Sequence, residues 1–358
     1  MRGGIERLVQ RLICELAAHN ECIVIGPTGS AAHLPETCRV QQCASGIPAF
    51  HAAAALAILR EVRAEKPDVI LAASGLVAPL AQLWARCTRR RYGVLIHGLD
   101  LMYPNPVYQN LFLPAIRGAD VAIANSARTA AEARARRVPE GSLKVVFPGT
   151  DLPEEFVGDA AEFRRRHGLA VSAPLLLFVG RLVRRKGLVE FVARALPELV
   201  RRLPGMTMAV IGEEPNGDDG EIEAICAAAR DVGVSRQLRL LGGVDDHELD
   251  LAYRAADCLV FPVLESAKDI EGFGLVAVEA AARGTPTAGF AAGGVVDAVG
   301  AGSGRLVAPG DYAALVEAVI ALAAGRAISA QQCRRHAAGF TWASYGAQVE
   351  ILLRDITA

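Results

Sequence analysis

The sequence predicts an α/β protein built from two doubly wound, Rossmann-like domains of similar size that face a cleft. Three observations predict it. Short apolar runs alternate with helix-patterned stretches along the whole chain, which implies parallel sheets covered on both faces. Turn residues collect near position 150, between two complete alternating blocks. The 358 residues also exceed what one ordinary hydrophobic core covers.

The predicted strands of the first block are residues 22–25, 69–72, 92–96, 121–124 and 144–147. Those of the second are 175–179, 206–211, 238–241, 258–261 and 287–288. The stretch 148–156, with Pro148, Gly149 and Pro153, reads as the linker. The predicted domains are therefore 1–153 and 154–339, with a C-terminal helix of about 340–358 packing back on the first. In such sheets ligands sit outside the carboxyl ends of the strands.

Composition narrows the function. A net charge of −1 argues against a nucleic-acid surface as the main business. Mean hydropathy is +0.28, yet Gly, Pro or Arg interrupts every apolar run before it reaches the length of a membrane span. The eight cysteines show no metal-ligand spacing and suit free thiols in a reducing cytoplasm. The chain opens without a charged-then-apolar leader, so a cytoplasmic protein is expected. Arg86, Arg89, Arg90 and Arg91, and the group Arg134, Arg136 and Arg137, read either as solvated faces or as patches for peripheral contact with the inner face of a membrane.

Several common sites are missing. Gly300-Ala301-Gly302-Ser303-Gly304 opens no helix after a strand, so it reads as a turn and no dinucleotide fingerprint remains. There is no Walker A sequence, HExxH or GxSxG. Dehydrogenase, NTPase, metalloprotease and serine hydrolase readings fall together.

The most informative segment is EGFGLVAVE, residues 271–279. The bare backbone of Gly272-Phe273-Gly274 can approach a ligand, and the apolar run from Leu275 to Ala282 reads as a helix whose N-terminus favours an anion. Glu271 and Glu279 lie eight apart, just over two helical turns, so two carboxylates on one side can address two parts of one ligand. An amphipathic helix with an acidic first turn is the plainer reading. Arg181 and Lys186, on the loop after the strand 175–179, are cations suited to a diphosphate leaving group, or else a solvated basic turn. His97 follows a predicted strand and reads as a cleft residue or a hydrogen-bonded structural one. Asp100 reads as a helix N-cap or else an acceptor contact, and Ser126 as a cap of the next helix.

Taken together, GRLVRRKG (180–187), Ile211-Gly212, Leu241-Gly-Gly-Val244, EGFGLVAVE and Ala292-Gly-Gly-Val-Val-Asp297 resemble the retaining GT-B glycosyltransferases of family 4. Gly3-Gly4-Ile5-Glu6-Arg7, His97-Gly98-Leu99-Asp100 and Val146-Phe-Pro-Gly-Thr-Asp151 extend the resemblance to the first half. It implies transfer of a sugar from a UDP- or GDP-linked donor to a glycan, lipid-linked or small-molecule acceptor, with no cofactor and no metal. Arg181 and Lys186 would hold the diphosphate, Glu279 the ribose hydroxyls, and Glu271 with the backbone of Gly272, Phe273 and Gly274 the sugar hydroxyls. The helix starting at Leu275 would face the phosphates, Gly212 and Val244 would pack near the base, and Gly4 would admit the diphosphate. His97 would lie near the anomeric carbon. Asp218-Asp219 and Asp245-Asp246 sit in predicted polar loops, away from any strand end that would invite Mg²⁺ to the diphosphate.

Two other readings compete: another GT-B enzyme such as a sugar-nucleotide epimerase or phosphorylase, and a non-catalytic sugar-nucleotide-binding protein. The amino terminus bears on the second. Members of the resembled family place a strand before the GGIER-like segment, whereas this chain starts at Met1-Arg2-Gly3-Gly4. The expectation is a first domain lacking its central strand, with Met1 an internal methionine or the terminus rebuilt, and with unpaired neighbouring strands.

Overall fold

The computed structural model describes residues 3–153, 160–215, 220–265, 269–325 and 327–358. The chain divides into two compact units. The carboxy-terminal unit holds Thr150–Ser266 and Phe273–Thr341, and the amino-terminal unit holds Arg2–Gly149, Ala267–Gly272 and Trp342–Ala358.

Parallel strands organise both units. In the amino-terminal unit these are β1 (Ile23–Pro27), β2 (Arg39–Cys43), β3 (Val69–Ala72), β4 (Arg91–Ile96), β5 (Val121–Ala124) and β6 (Leu143–Val145). The carboxy-terminal unit has β7 (Leu175–Val179), β8 (Thr207–Ile211), β9 (Leu238–Gly242), β10 (Cys258–Phe261), β11 (Thr287–Phe290) and β12 (Gly304–Val307). The latter six form one sheet in the order β12-β11-β10-β7-β8-β9. Its central strands, LLLFV and CLVF, are buried at every position, as continuous apolar runs demand of a sheet covered on both faces. Helices Leu275–Ala282 and Tyr312–Ala323 pack on β10 and β11, and a single hydrophobic cluster runs through the unit.

The amino-terminal unit is interrupted. β1 pairs with β2, from Ile23 opposite Arg39 to Pro27 opposite Cys43, while β3-β4-β5-β6 form a separate sheet. Among the described residues β1 and β3 therefore each have one unpaired edge. Their apolar residues Ile23, Val24, Val69, Ile70 and Leu71 are only half-buried, whereas β5 is buried throughout. Helix Ile47–Glu65 packs on β1 and β2, helix Ala78–Thr88 packs on β3 and β4, and these helices pack on each other. The expected unpaired neighbours are present.

The terminal helix Trp342–Asp355 packs on helix Gly4–Ala17. A Cβ on Gly346 would lie 2.4 Å from Glu15 Cβ, so only glycine allows that approach. Asn20 Nδ2 donates to Glu350 Oε1 at 2.9 Å across the same pair.

Two strands lie outside the predicted set. β2 is RVQQC, an edge strand whose exposed positions carry polar side chains, and β12 is the edge strand GRLV. The Gly300–Gly304 run is a turn, as predicted. At the predicted linker, Thr150 N donates to Phe340 O at 2.8 Å; residues 154–156 lie outside the described residues. No described helix is long and apolar enough to cross a membrane.

Candidate functional site

In the carboxy-terminal unit the strand order reverses between β7 and β10: the chain runs outward through β8 and β9 on one side and through β11 and β12 on the other. The carboxyl ends of β7 and β10 are thus the place where a crevice opens in a doubly wound sheet. Glycine shapes it. Gly180 ends β7 at φ 151° and Gly212 ends β8 at φ 152°. A Cβ on Gly212 would stand 1.9 Å from Gly180 O, so the two loops touch through bare backbone. Gly212 N donates to Gly242 O at 2.9 Å and Gly180 N to Ile211 O at 3.0 Å, stitching the ends of β7, β8 and β9 together. Val244, half-buried, follows directly after Gly242-Gly243.

Two cations stand on the β7 loop. Arg181 is exposed and makes no hydrogen bond or ion pair with the described residues. Lys186 is buried, its Nζ 4.9 Å from the centroid of the Phe261 ring at the end of β10, a cation–π contact. The loop is fixed by Gly187, at φ 70°, whose absent Cβ leaves room for Pro262 O. Leu264 N donates to Arg185 O at 2.8 Å beside it.

The helix after β10 is Leu275–Ala282, as the apolar run predicts. Gly274 precedes it in the left-handed region at φ 93°, and its bare Cα lets the Phe261 ring close in. The first N–H groups of this helix form an anion-favouring terminus. Glu279 lies one turn inside, buried among Val278, Ala280 and Ala281. Tyr253 Oη, from helix Asp246–Ala255, donates to Glu279 Oε2 at 2.8 Å.

A second group of polar side chains sits in the amino-terminal unit at the ends of β4 and β5. His97 follows β4 and is buried; Nε2 lies 2.8 Å from Ala73 O. A carbonyl only accepts, so Nε2 carries the proton. Nδ1 is buried with no partner among the described residues. Asp100 Oδ2 accepts from the His97 backbone N–H at 2.9 Å. At the end of β5, Ser126 caps helix Ala127–Ala135 by accepting from Thr129 N at 2.9 Å. Thr129 Oγ1 in turn donates to Asn125 Oδ1 at 2.9 Å, fixing that buried carboxamide.

Ile270 joins this unit's core beside Ile96, Leu101 and Ala130, and would meet a Cβ on Gly98 at 3.1 Å. The adjoining Gly272 needs to be glycine, since its Cβ would lie 2.7 Å from His97 O and 2.8 Å from Asn125 Nδ2. The half-buried Glu271 sits between these two contacts in sequence, and residues 269–272 accordingly cluster with the amino-terminal unit.

Four sequence expectations change. Glu271 stands before the helix, separated from it by Gly272, Phe273 and Gly274, so the separation from Glu279 is not two helical turns. Asp100 is no N-cap: Gly98 holds that position, and Asp100 anchors the His97 backbone instead. Gly4 is not in a loop but opens the helix Gly4–Ala17, with Gly3 as N-cap. Asp245 caps helix Asp246–Ala255, which places Asp246 within it, while Asp218 and Asp219 lie outside the described residues. In the arginine groups, Arg91 pairs with Asp120, Arg134 with Glu140 and Arg136 with Glu132. Sequence reasoning missed Tyr253 and Asn125. Each stands near a strand or helix end, yet nothing in its spacing separates it from a core tyrosine or a turn asparagine.

Comparison with known proteins gives the family and the fold. Residues 159–339 match the family described as glycosyl transferases group 1, and residues 2–154 match Glycosyltransferase Family 4. A Catenulispora acidiphila protein named D-inositol 3-phosphate glycosyltransferase 2 is 36% identical over 251 residues, covering 67% of this chain and 57% of that relative. The chain thus spans about half the length of such curated relatives. A Mycolicibacterium smegmatis protein named GDP-mannose-dependent alpha-(1-6)-phosphatidylinositol monomannoside mannosyltransferase is 29% identical, over 98% of this chain and 95% of its own. Anabaena HepE, solved in complex with UDP-glucose, shares the fold at a TM-score of 0.79 and 19% identity, over 99% of this chain and 97% of that one.

Proposed function

Since the chain belongs to glycosyl transferases group 1, the GT-B glycosyltransferases of family 4, we propose that it moves a sugar from a UDP- or GDP-linked donor to an acceptor hydroxyl, with retention and without a metal. The observation that carries the reading is the switch point of the carboxy-terminal sheet. There the ends of β7 and β10 bring together the cations Arg181 and Lys186, a helix N-terminus and a buried carboxylate, Glu279. These are the parts a nucleoside diphosphate needs.

As the bond between the anomeric carbon and the diphosphate breaks, negative charge grows on the departing phosphate. Lys186, Arg181 and the N–H groups at the start of Leu275–Ala282 stabilise that charge where they already stand. Glu279 accepts from the ribose hydroxyls, while Gly212 and Val244 lie toward the base. Glu271 and the backbone of Gly272, Phe273 and Gly274 hold the sugar hydroxyls, and His97 addresses the acceptor. The acceptor oxygen attacks the face from which the diphosphate leaves, and its proton passes to the departing phosphate oxygen. No side-chain nucleophile is required in this route.

The names of the relatives direct the choice of acceptor. Both D-inositol 3-phosphate and phosphatidylinositol monomannoside carry a phosphorylated inositol. An inositol-phosphate compound is therefore the acceptor class we propose, with GDP-mannose the first donor to test. The decisive experiment offers UDP-, GDP- and ADP-sugars, with and without inositol-phosphate acceptors, and follows release of the free nucleoside diphosphate. Acceptor-dependent release that persists in excess EDTA, with product of the donor's own anomeric configuration, is expected. No release from any donor would remove the proposal.

A further inference from the structure

We infer that Tyr253 is a positioning residue for nucleotide recognition: it fixes the carboxylate of Glu279 so that the protein distinguishes a ribose from a deoxyribose. The inference rests on the reading of Glu279 as the ribose ligand and adds a residue that no sequence motif marks. Glu279 is 8% exposed, on a helix whose neighbouring side chains are valine and alanine. A carboxylate in such surroundings is costly unless it is hydrogen-bonded. Tyr253, 2% exposed, reaches it from a different helix at 2.8 Å.

The tyrosine is itself held. Thr285 Oγ1 donates to Tyr253 O, and Thr285 N donates to Ala280 O at 2.9 Å. The residue after Glu279 is thus joined through Thr285 to the backbone of Tyr253, and Tyr253 returns through its hydroxyl to Glu279. This closed loop links the two helices.

A carboxylate offers about four lone-pair directions. Oε2 accepts from Tyr253, and that bond ties the carboxylate to helix Asp246–Ala255 and restricts its rotation. Two adjacent ribose hydroxyls are a matching pair of donors, and a carboxylate that rotates freely would hold them less well. Glu279 lies four residues after Leu275, about 6 Å along the axis at 1.5 Å per residue, which is a fitting offset between phosphate and ribose.

The test is calorimetric titration of UDP and GDP, and of their 2′-deoxy and 3′-deoxy counterparts, into wild type and Tyr253→Phe. Wild type should bind the ribonucleotides more tightly. The Tyr253→Phe variant should lose about tenfold in ribonucleotide affinity, as expected when a hydrogen bond to a charged group is removed, and change little toward the deoxy forms. Partial unfolding weakens all ligands by one factor and leaves their ratio unchanged, so the ratio remains a test in a less stable variant. In the Glu279→Gln background, Tyr253→Phe should add nothing to the ratio. Equal losses for ribose and deoxyribose forms would make Tyr253 merely structural and overturn the inference. Diphosphate binding without ribose preference in wild type would remove Glu279 from the ribose while leaving the phosphate site standing, and the inference would fall with it. No binding of any diphosphate would remove the functional reading as well.

Discussion

Lys186 and Arg181 show how burial separates two residues that look alike in sequence. Lys186 is buried and held over the Phe261 ring, so its position is set before any ligand arrives, whereas Arg181 is exposed on the same loop. We expect Lys186→Ala to lower kcat by about 10²–10³-fold, because it removes a fixed charge that acts as the leaving group departs. Arg181→Ala should act in the same direction, while Glu279→Ala should mainly weaken binding of the free nucleoside diphosphate. Steady-state kinetics at saturating donor, with calorimetry of the diphosphate, separate these outcomes, and near-normal turnover in both cation variants would remove them from catalysis. Gly212 carries a different burden. Its Cβ would stand 1.9 Å from a carbonyl oxygen at a φ of 152°, so Gly212→Ala should cost about 2–4 kcal/mol of stability through strain and displaced strand ends. Chemical denaturation reads that loss directly; an unchanged midpoint would mean that the β7 and β8 ends move apart without cost.

Helices Asp246–Ala255 and Leu275–Ala282 are joined by more than the Tyr253 hydroxyl. Asp250, on the first, accepts from Arg254 one turn later and from Arg283 at 2.9 Å, just beyond the second. Burial pushes the Asp250 carboxyl up, but the two guanidinium groups outweigh it and hold the group below its ordinary 3.8. A depressed carboxylate stabilises the fold above the unfolded value, and that contribution disappears as pH falls through the folded one. Asp250→Asn should therefore melt below wild type near neutral pH, and the two curves should converge as pH falls below about 4. A gap that stays constant with pH would show that Asp250 acts without its charge. The same elements mark what sequence reveals. Leu275–Ala282 is legible because Gly274 and an unbroken apolar run leave few alternatives, and β7 and β10 because central parallel strands are apolar on both faces. Strand β2 is hidden because an edge strand tolerates polar residues, with Arg39 and Gln42 exposed and Gln41 half-buried. Tyr253 has the helical spacing of any core residue, and Ile270 follows Glu265 by only five positions yet joins the core of the other unit. Tertiary choices of this kind leave no periodic trace.

At the scale of the whole chain the two units differ in continuity. The carboxy-terminal unit has one six-stranded sheet around one hydrophobic cluster, so its strands support one another from edge to edge. The amino-terminal unit has a two-stranded and a four-stranded sheet, and the small cluster around Cys43, Ala54 and Ala57 is separate from the one around β4 and β5. Strands β1 and β3 are rich in Ile, Val and Leu, as central strands are, but each lacks a partner on one side among the described residues and is only half-buried. A two-stranded sheet is marginal by itself, and β1 and β2 depend on helix Ile47–Glu65 for cover. Local opening should follow this order. In native-state hydrogen exchange, the amides of β1 and β2 should exchange first, those of β3 next, and those of β4 and β5 later. The amides of β7, β8 and β10 should be protected up to the global unfolding free energy of their unit. Denaturant titration followed strand by strand should accordingly give two transitions, the amino-terminal unit opening at the lower concentration. Equal protection of β1 and β4 would show that the open edges carry no energetic weight, and a single coincident transition would show that the two units unfold as one.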